Sequence, residues 1–472
     1  MSFREYYKTL NSQTGFRAYI KKSIFNNLLK ELIKQEKVIE KQSETIKAQE
    51  KVLKEKELAL KKQERTLNAI TRQIEDTLLL RDTAGLLIDM TAITSSKNWG
   101  TGRLRLNDKI MMTGIPRVVN NIFHEMYNQE DNVIPIRYKS GKFITSRTYL
   151  SWMEGTEEKV DQTVGLRRGD KLLLLDHPWA KFAEYSDILD TAADSGVKSY
   201  AIVHDLIPIQ SPKICSSEKV VKDFTGWHNM LLQKVDAVVC VSRTTADAVA
   251  AYYEQMQFAR TRPLSVYFFH LGSDVLEGVE SVRDAIRNFV EEGKYTFLMV
   301  GTIEPRKGHM VALQALLKLP DEIRHDCKLL VIGKNGWNNE DVRNMFESPE
   351  LKEKVLWIRN ASDGELRWAY RHTSALIAAS LQEGFGLPLV EAAYFGLPLI
   401  CSDIPIFREV TQGNAVFFNV MDTDALAECL VKWTQTERHP DSQSIRIYSW
   451  QESAREFLDI MEGKVEPYIV VQ

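Results

Sequence analysis

From residue 84 onward, short runs of apolar residues alternate with stretches of helical periodicity. AGLLIDM, NVIPIRY, KLLLLDH, KSYAIVH, DAVVCVS and LSVYFFH form a first series, separated by segments such as PRVVNNIFHEMYNQ and TTADAVAAYYEQM. Runs that are apolar at successive positions must be covered on both faces, which is the signature of a parallel sheet sandwiched by helices. A charged connector, Asp274 to Lys294, precedes a second series of YTFLMVG, CKLLVIG, KVLWIRN, SALIAAS, PLICSD and AVFFNV. The expected fold class is therefore α/β, with two doubly wound domains at 84–273 and 295–440, a linker at 274–294 and a terminal helix and tail at 441–472. Ligands of such sheets sit at the carboxyl ends of the strands, here in the cleft between the domains. The helix WQESAREFLDIMEGK carries Phe457, Leu458 and Met461 on one side, while the tail EPYIVVQ receives no assignment.

The residues before 84 follow another rule. Leu32, Ile39, Ile46, Leu53, Leu60, Leu67 and Ile74 recur every seven positions, and no Gly or Pro interrupts residues 28–80. This predicts a long coiled-coil helix over 28–82, with a polar column at Gln35, Gln42, Gln49, Lys56 and Gln63 that weakens the seam and selects partner or register. A lone helix with one apolar column is marginal in water, so self-association into a homo-oligomer is expected, with the number of strands open. Ahead of it, residues 1–27 mix Arg4, Lys8, Arg17, Lys21 and Lys22 with Phe3, Tyr6, Tyr7, Phe16, Tyr19, Ile20, Ile24 and Phe25. A basic aromatic segment of this kind suits an anionic membrane surface, and equally an arm covered by a protein partner.

Several classes are excluded by what is missing. No apolar run approaches the roughly 18–20 residues of a membrane span, and MSFREYYKTL has no apolar signal core. The expected location is the cytoplasm, with the basic segment as the candidate contact with the inner face of the membrane. The five cysteines lie apart, mostly in apolar runs such as AVVCVS, and read as reduced structural thiols rather than disulfides or zinc ligands. No DxD metal motif and no GxxxxGK[ST] loop occurs at these turns, so no metal, no cofactor and no nucleic-acid partner is expected.

Four loops at strand ends carry the candidate chemistry. In TGIPRVVNN, Gly114 opens a helix near Pro116 and leaves room for a substrate to approach the helix N-terminus. In VHDLIPI, His204 and Asp205 follow a strand directly, where an imidazole can donate to a sugar hydroxyl or share developing charge. In GTIEPRKGH, Arg306, Lys307 and His309 cluster at a helix start. Each cation about 4 Å from a phosphate contributes roughly 4 kcal/mol of gross attraction at an effective dielectric near 20, so two or three suffice to hold a diphosphate. In EGFGLPLVE, Gly384 and Gly386 let the backbone bend around a ligand, and Pro388 fits the start of a helix whose first turn contains Glu391. Glu383 and Glu391 can then accept hydrogen bonds from the diols of a ligand that offers two, as a nucleotide-sugar does in its hexose and ribose. Taken singly, each loop also reads as an ordinary turn with solvated charges.

Together these loops resemble the family-4 retaining glycosyltransferases of the GT-B fold, in which two Rossmann-like domains clasp a nucleotide-sugar. The resemblance covers residues 84–464 and is strongest from Gly301 to Val410, where SLQEGFGLPLVEAAYFGLPLICSDIPIFREV is similar to the family's E-x7-E signature and the segment after it. It implies that Glu383 contacts the donor sugar and Glu391 the ribose. It further implies that the backbone of Gly384, Phe385, Gly386 and Leu387 approaches the diphosphate, and that Arg306 and Lys307 bind it and stabilise the leaving group. His204 takes the place of the first domain's sugar-side histidine, and Gly114 that of the glycine loop near the donor phosphate and acceptor. The last helix would cross back to the first domain. Thr302 stands where many members have a further arginine, so Arg306 would replace it.

GTIEPRKGH is similar to bacterial mannosyltransferases that build surface polysaccharides, which makes GDP-mannose the leading donor and a saccharide or lipid-linked glycan the expected acceptor. The implied reaction is metal-independent front-face transfer with retention, driven by positioning and leaving-group stabilisation. A transferase using a UDP- or dTDP-sugar, a coiled-coil scaffold with an idle cleft, and a phosphorylase or epimerase of related fold remain the alternatives.

Overall fold

The computed structural model describes residues 81–95, 114–156, 160–273 and 281–472, with short pieces between residues 26 and 79. The basic segment 1–27 and the heptads of 28–82 thus lie almost wholly outside the described residues. Residues 28–31 and 59–64 are helical, and Leu60, a seam position, is exposed there.

Two compact units are distinguished, each built around sheet. The smaller contains residues 132–173 and 187–199 together with the strand Leu86–Asp89. Its strands are β1 (Leu78–Leu79), β2 (Leu86–Asp89), β3 (Val133–Lys139), β4 (Lys142–Thr145), β5 (Thr163–Val164) and β6 (Lys171–Leu174). They lie in the order β1-β5-β4-β3-β2-β6. β2 and β3 are parallel with Leu86 opposite Val133, whereas β3 and β4 form an antiparallel hairpin with Ile136 opposite Thr145. The all-parallel expectation is corrected here: Ser140 and Gly141 both have positive φ, 50° and 84°, the backbone of a two-residue turn whose twist matches the strands. Behind the hairpin, Asp170 is buried and receives Arg81 Nη1 at 2.8 Å and Nη2 at 2.7 Å, with the Gly85 and Arg167 amides completing its partners.

The larger unit holds residues 174–186 and 200–472 and the helix Ile115–Gln129. In it β7 (Lys198–Val203), β8 (Ala237–Cys240) and β9 (Leu264–Phe268) run parallel. A second sheet comprises β10 (Tyr295–Val300), β11 (Cys327–Ile332), β12 (Val355–Ile358), β13 (Ala375–Ala378), β14 (Leu399–Ser402) and β15 (Val416–Phe418). Its order is β12-β11-β10-β13-β14-β15, and every pair is parallel. Phe297, Leu329, Val331, Ile377 and Trp433 are buried in its core. This order reverses direction between β10 and β13, and a crevice opens at the carboxyl ends wherever adjacent strands send their helices to opposite faces. The loops after β10 and β13 are GTIEPRKG and SLQEGFG, two of the four singled out from sequence.

The linker region is not all connector: Asp284–Glu291 is a helix that buries Ile286 and Val290. After the second sheet, the helix Trp450–Glu462 begins with a capping box between Ser449 and Glu452, which fixes its start. It packs against the helix Ile115–Gln129, where Arg455 approaches Glu130 at 3.3 Å, and the hydroxyl of Tyr200 on β7 donates to the Met461 carbonyl at 3.1 Å. The unassigned tail proves to be a strand: β16 (Ile469–Val471) pairs antiparallel with β9, Ile469 opposite Val266.

Candidate active site

The loops after β10 and β13 are tied together before any side chain is considered, since the Leu381 amide donates to the Arg306 carbonyl at 2.7 Å. Pro305–Lys307 forms a single 3-10 turn, which places Arg306 and Lys307 beside the second loop. Lys307 Nζ donates to Glu383 Oε1, Arg306 Nη1 donates to Glu383 Oε2 at 2.7 Å, and Ser380 Oγ donates to Oε1 at 2.8 Å. Burial opposes ionisation of Glu383, yet Arg306 and Lys307 outweigh it and bring its pKa down to about 2. Arg306 is held from its other side by Glu304, at 2.7 Å. Burial works against its charge, and Glu383 and then Glu304 overcome it, so its pKa is raised. Lys307 has no second carboxylate of its own; burial is the largest influence on it and lowers its pKa against the pull of Glu383. The pair is therefore asymmetric, with Arg306 the fixed charge and Lys307 the more weakly held one.

Glu391 lies at the far end of the same stretch. The helix starts at Leu387 and runs to Tyr394, so Glu391 falls in its second turn rather than its first, and only 4% of it is exposed. Arg117 Nη1 donates to its Oε1, and the Tyr370 hydroxyl donates to its Oε2 at 2.7 Å. Neither glutamate is a solvated surface charge, and each oxygen of both carboxylates is already engaged. Phe385 is buried and Leu387 opens the helix after Gly386, whose φ of 101° favours glycine. A small, half-open depression is lined by Lys307, His309, Glu383, Gly386, Leu389 and Phe407.

His204 follows β7 and meets this loop through its backbone: Gly384 packs against the His204 carbonyl. Its imidazole belongs to a buried aromatic group, 4.9 Å between ring centroids from His177, which lies 6.2 Å from His228. Burial, with His177 and His228 adding to it, pushes the pKa of His204 well below the ordinary value. This shift favours the neutral ring, which can still donate or accept a hydrogen bond. Among the described residues its Nε2 has no hydrogen-bond partner, nor have His177 Nδ1, His228 Nε2 and both ring nitrogens of His309. Asp205 is partly buried beside the Arg306 cluster; burial raises its pKa, and its Oδ1 accepts from the Ile207 amide at 3.0 Å. Gly114 caps the helix Ile115–Gln129 with φ 67°, and among the described residues an added Cβ meets nothing within 4 Å.

The structure therefore brings Arg306, Lys307, Glu383, Gly384, Phe385, Gly386, Leu387, Glu391 and His204 into one neighbourhood, with Gly114 joined to it through Arg117. Glu304, Tyr370 and Arg117 were not singled out from sequence. Glu304 sat inside a quoted motif but looked like one more charge of a turn. Arg117 stands inside TGIPRVVNN without being singled out, and an ion pair spanning 274 residues leaves no local signal.

Residues 282–450 match the family model Glycosyl transferases group 1. The chain carries a domain of that family over those residues. It is 34% identical over 360 residues to the serotype-specific mannosyltransferase WbdA of Escherichia coli, an alignment covering 73% of this chain and 44% of that protein. It is 28% identical over 221 residues to the O-antigen chain mannosyltransferase RfbU of Salmonella typhimurium, covering 47% and 56%. The chain thus spans less than half the length of the WbdA relatives it matches. Among solved structures, HepE of Anabaena in complex with UDP and glucose is similar with a TM-score of 0.55 at 12% identity, covering 80% of this chain and all of that one. Sucrose-phosphate synthase of Thermosynechococcus elongatus is similar with a TM-score of 0.51 at 12% identity, covering 81% and 99%. Both likenesses are of fold, the GT-B-like arrangement of two parallel-sheet domains. Among the described residues no helix is long and apolar enough to cross a membrane.

Proposed function

We propose that this protein is a retaining hexosyltransferase that moves mannose from GDP-mannose onto a saccharide or lipid-linked glycan acceptor during surface-polysaccharide synthesis. The observation that carries the reading is Glu383 fixed as an anion by Arg306 and Lys307 at the reversal of strand order. An ionised carboxylate there accepts hydrogen bonds from the donor's hexose, and Lys307, the less firmly held cation, turns to the leaving diphosphate. Glu391 serves the ribose. Neutral His204 meets the sugar as a hydrogen-bond partner, and no covalent sugar intermediate is required. The mannosyltransferase names of the sequence relatives support mannose as the sugar, and a GDP-linked donor is the choice consistent with them. The coiled coil of 28–82 would join copies of the chain, and residues 1–27 would rest on the membrane or on an assembly partner.

The test is transfer of hexose from GDP-mannose, UDP-glucose and dTDP-glucose to mannose-terminated acceptors, with the anomeric configuration of the product read by NMR. Lys307→Ala should lower kcat/KM by about 2–3 powers of ten, the range of an electrostatic stabilising contact. Near-normal turnover in that variant would remove Lys307 from the reaction. Selective use of a UDP- or dTDP-sugar would overturn the donor. Phosphate-dependent sugar release would make the protein a phosphorylase, and nucleotide binding with no turnover would favour a scaffold.

A further inference from the structure

Among the described residues, the cations at the strand reversal are already matched by carboxyl groups. Arg306 is held by two carboxylates and Lys307 by one, and Asp205 adds a third carboxyl group to Glu304 and Glu383 in the same electrostatic cluster. Thr302 supplies no charge. A diphosphate entering this group meets two cations already matched by three acidic side chains. A further guanidinium reaches the helix after the EGFG loop from a different element: Arg117, in the first turn of the helix that Gly114 opens, pairs with Glu391. It is 28% exposed at the side chain, while its partner Glu391 is 5% exposed. Burial is the largest influence on Arg117 and lowers its pKa, but Glu391 prevails and raises it, so its charge is permanent.

We propose that Arg117 is a diphosphate ligand held in place by Glu391, which exchanges the guanidinium for the ribose diol when a nucleotide binds. This rests on the nucleotide-sugar reading given above. With Oε2 taken by Tyr370, a diol and Arg117 compete for Oε1. Two hydroxyls replacing a guanidinium would strand a buried carboxylate beside a displaced cation unless that cation found another anion. The diphosphate of the same ligand is that anion, and a guanidinium suits its oxygens through paired N–H donors. The exchange leaves no charge unmatched: carboxylate with diol, guanidinium with phosphate. Tyr370 keeps the carboxylate oriented throughout.

Calorimetric titration of the whole protein decides this, using pyrophosphate, four nucleoside diphosphates (GDP, UDP, dTDP and ADP) and the matching free nucleosides at two salt concentrations. Arg117→Met should weaken the preferred diphosphate and pyrophosphate by about tenfold or more, leave the free nucleoside within about twofold, and flatten the salt dependence of diphosphate binding. Arg117→Lys, which keeps charge but not the fork, should recover part of the loss. Equal or tighter diphosphate binding in Arg117→Met would overturn the proposal and make Arg117 a plug over Glu391. Equal loss of nucleoside and diphosphate in both variants would reduce Arg117 to a support for Glu391. If the unaltered protein binds none of these probes, the nucleotide-sugar reading fails first and this proposal falls with it.

Discussion

Gly384 approaches His204 so closely that a Cβ on it would stand 1.9 Å from the His204 carbonyl oxygen. Its own carbonyl is taken by Ser242 Oγ at 2.9 Å and Thr245 Oγ1 at 3.2 Å. Backbone from the loop after β13 is thereby seated against the end of β7. Gly384→Ala must push these segments apart, and overpacking of this kind costs roughly 1–3 kcal/mol. Chemical denaturation should show that loss, accompanied by slower hexose transfer; unchanged stability would mean the loop moves freely.

Removing the carboxylate that two cations share should cost more. Glu383→Gln removes the one carboxylate that both Arg306 and Lys307 contact directly, leaving Lys307 without an ion-pair partner among the described residues, and breaking a buried pair from one side typically costs about 3–5 kcal/mol. Adding Lys307→Met removes the stranded charge, so the double variant should be more stable than Glu383→Gln alone. A double-mutant cycle measures this, and strict additivity of the two losses would show that the residues do not interact.

Acid sensitivity should begin with histidines rather than carboxylates. Burial holds His177 at about 4 and His228 at about 3, against an ordinary 6.5. Below pH 6.5 the unfolded chain takes up protons that the native state refuses, so stability is full above 6.5 and falls as pH drops towards 4. Each group contributes a slope of about 1.4 kcal/mol per pH unit at full effect. Urea midpoints at pH 7, 6 and 5 should converge for His228→Gln and the unaltered protein as pH falls; parallel curves would contradict the assignment. Glu383 acts lower, its contribution fading as pH falls from 4.5 towards about 2.

Glu409 accepts from the Arg243 amide at 2.7 Å and from the Thr244 amide and hydroxyl at 2.8 and 2.6 Å. These are the otherwise unpaired donors at the start of the helix Arg243–Met256. A carboxylate there also meets the positive end of the helix dipole. Glu409→Gln should cost about 1–2 kcal/mol by the scale of helix caps, visible as a lower melting temperature; a change within error would show that water serves as well.

These pairings explain which parts of the molecule were legible in the sequence. Strands β2, β3 and β6–β15 announced themselves because runs such as KLLLLDH and CKLLVIG are apolar at every step. β4 and β16 did not: KFIT holds only two apolar residues, and β16 takes its place from β9. Glu383 and Glu391 were visible because glycines and a proline punctuate the stretch between them. What they bind in this structure was not, since Arg117, Tyr370 and Glu304 reach them through tertiary packing that no local spacing encodes. The heptads of 28–82 remain a sequence reading.

The pairing of β16 with β9 also sets an order of events during synthesis. Residues 264–268 emerge from the ribosome some 200 residues before their partner at 469–471, at about 5–20 residues per second. For roughly ten seconds or more, then, the outer edge of β9 presents unpaired amides and carbonyls while the second sheet is being made. Such an edge is a template for strands of other nascent chains. Fusions or truncations that delay or remove Ile469–Val471 should therefore betray themselves first in the yield of properly folded protein, well before any effect on the distant carboxylates.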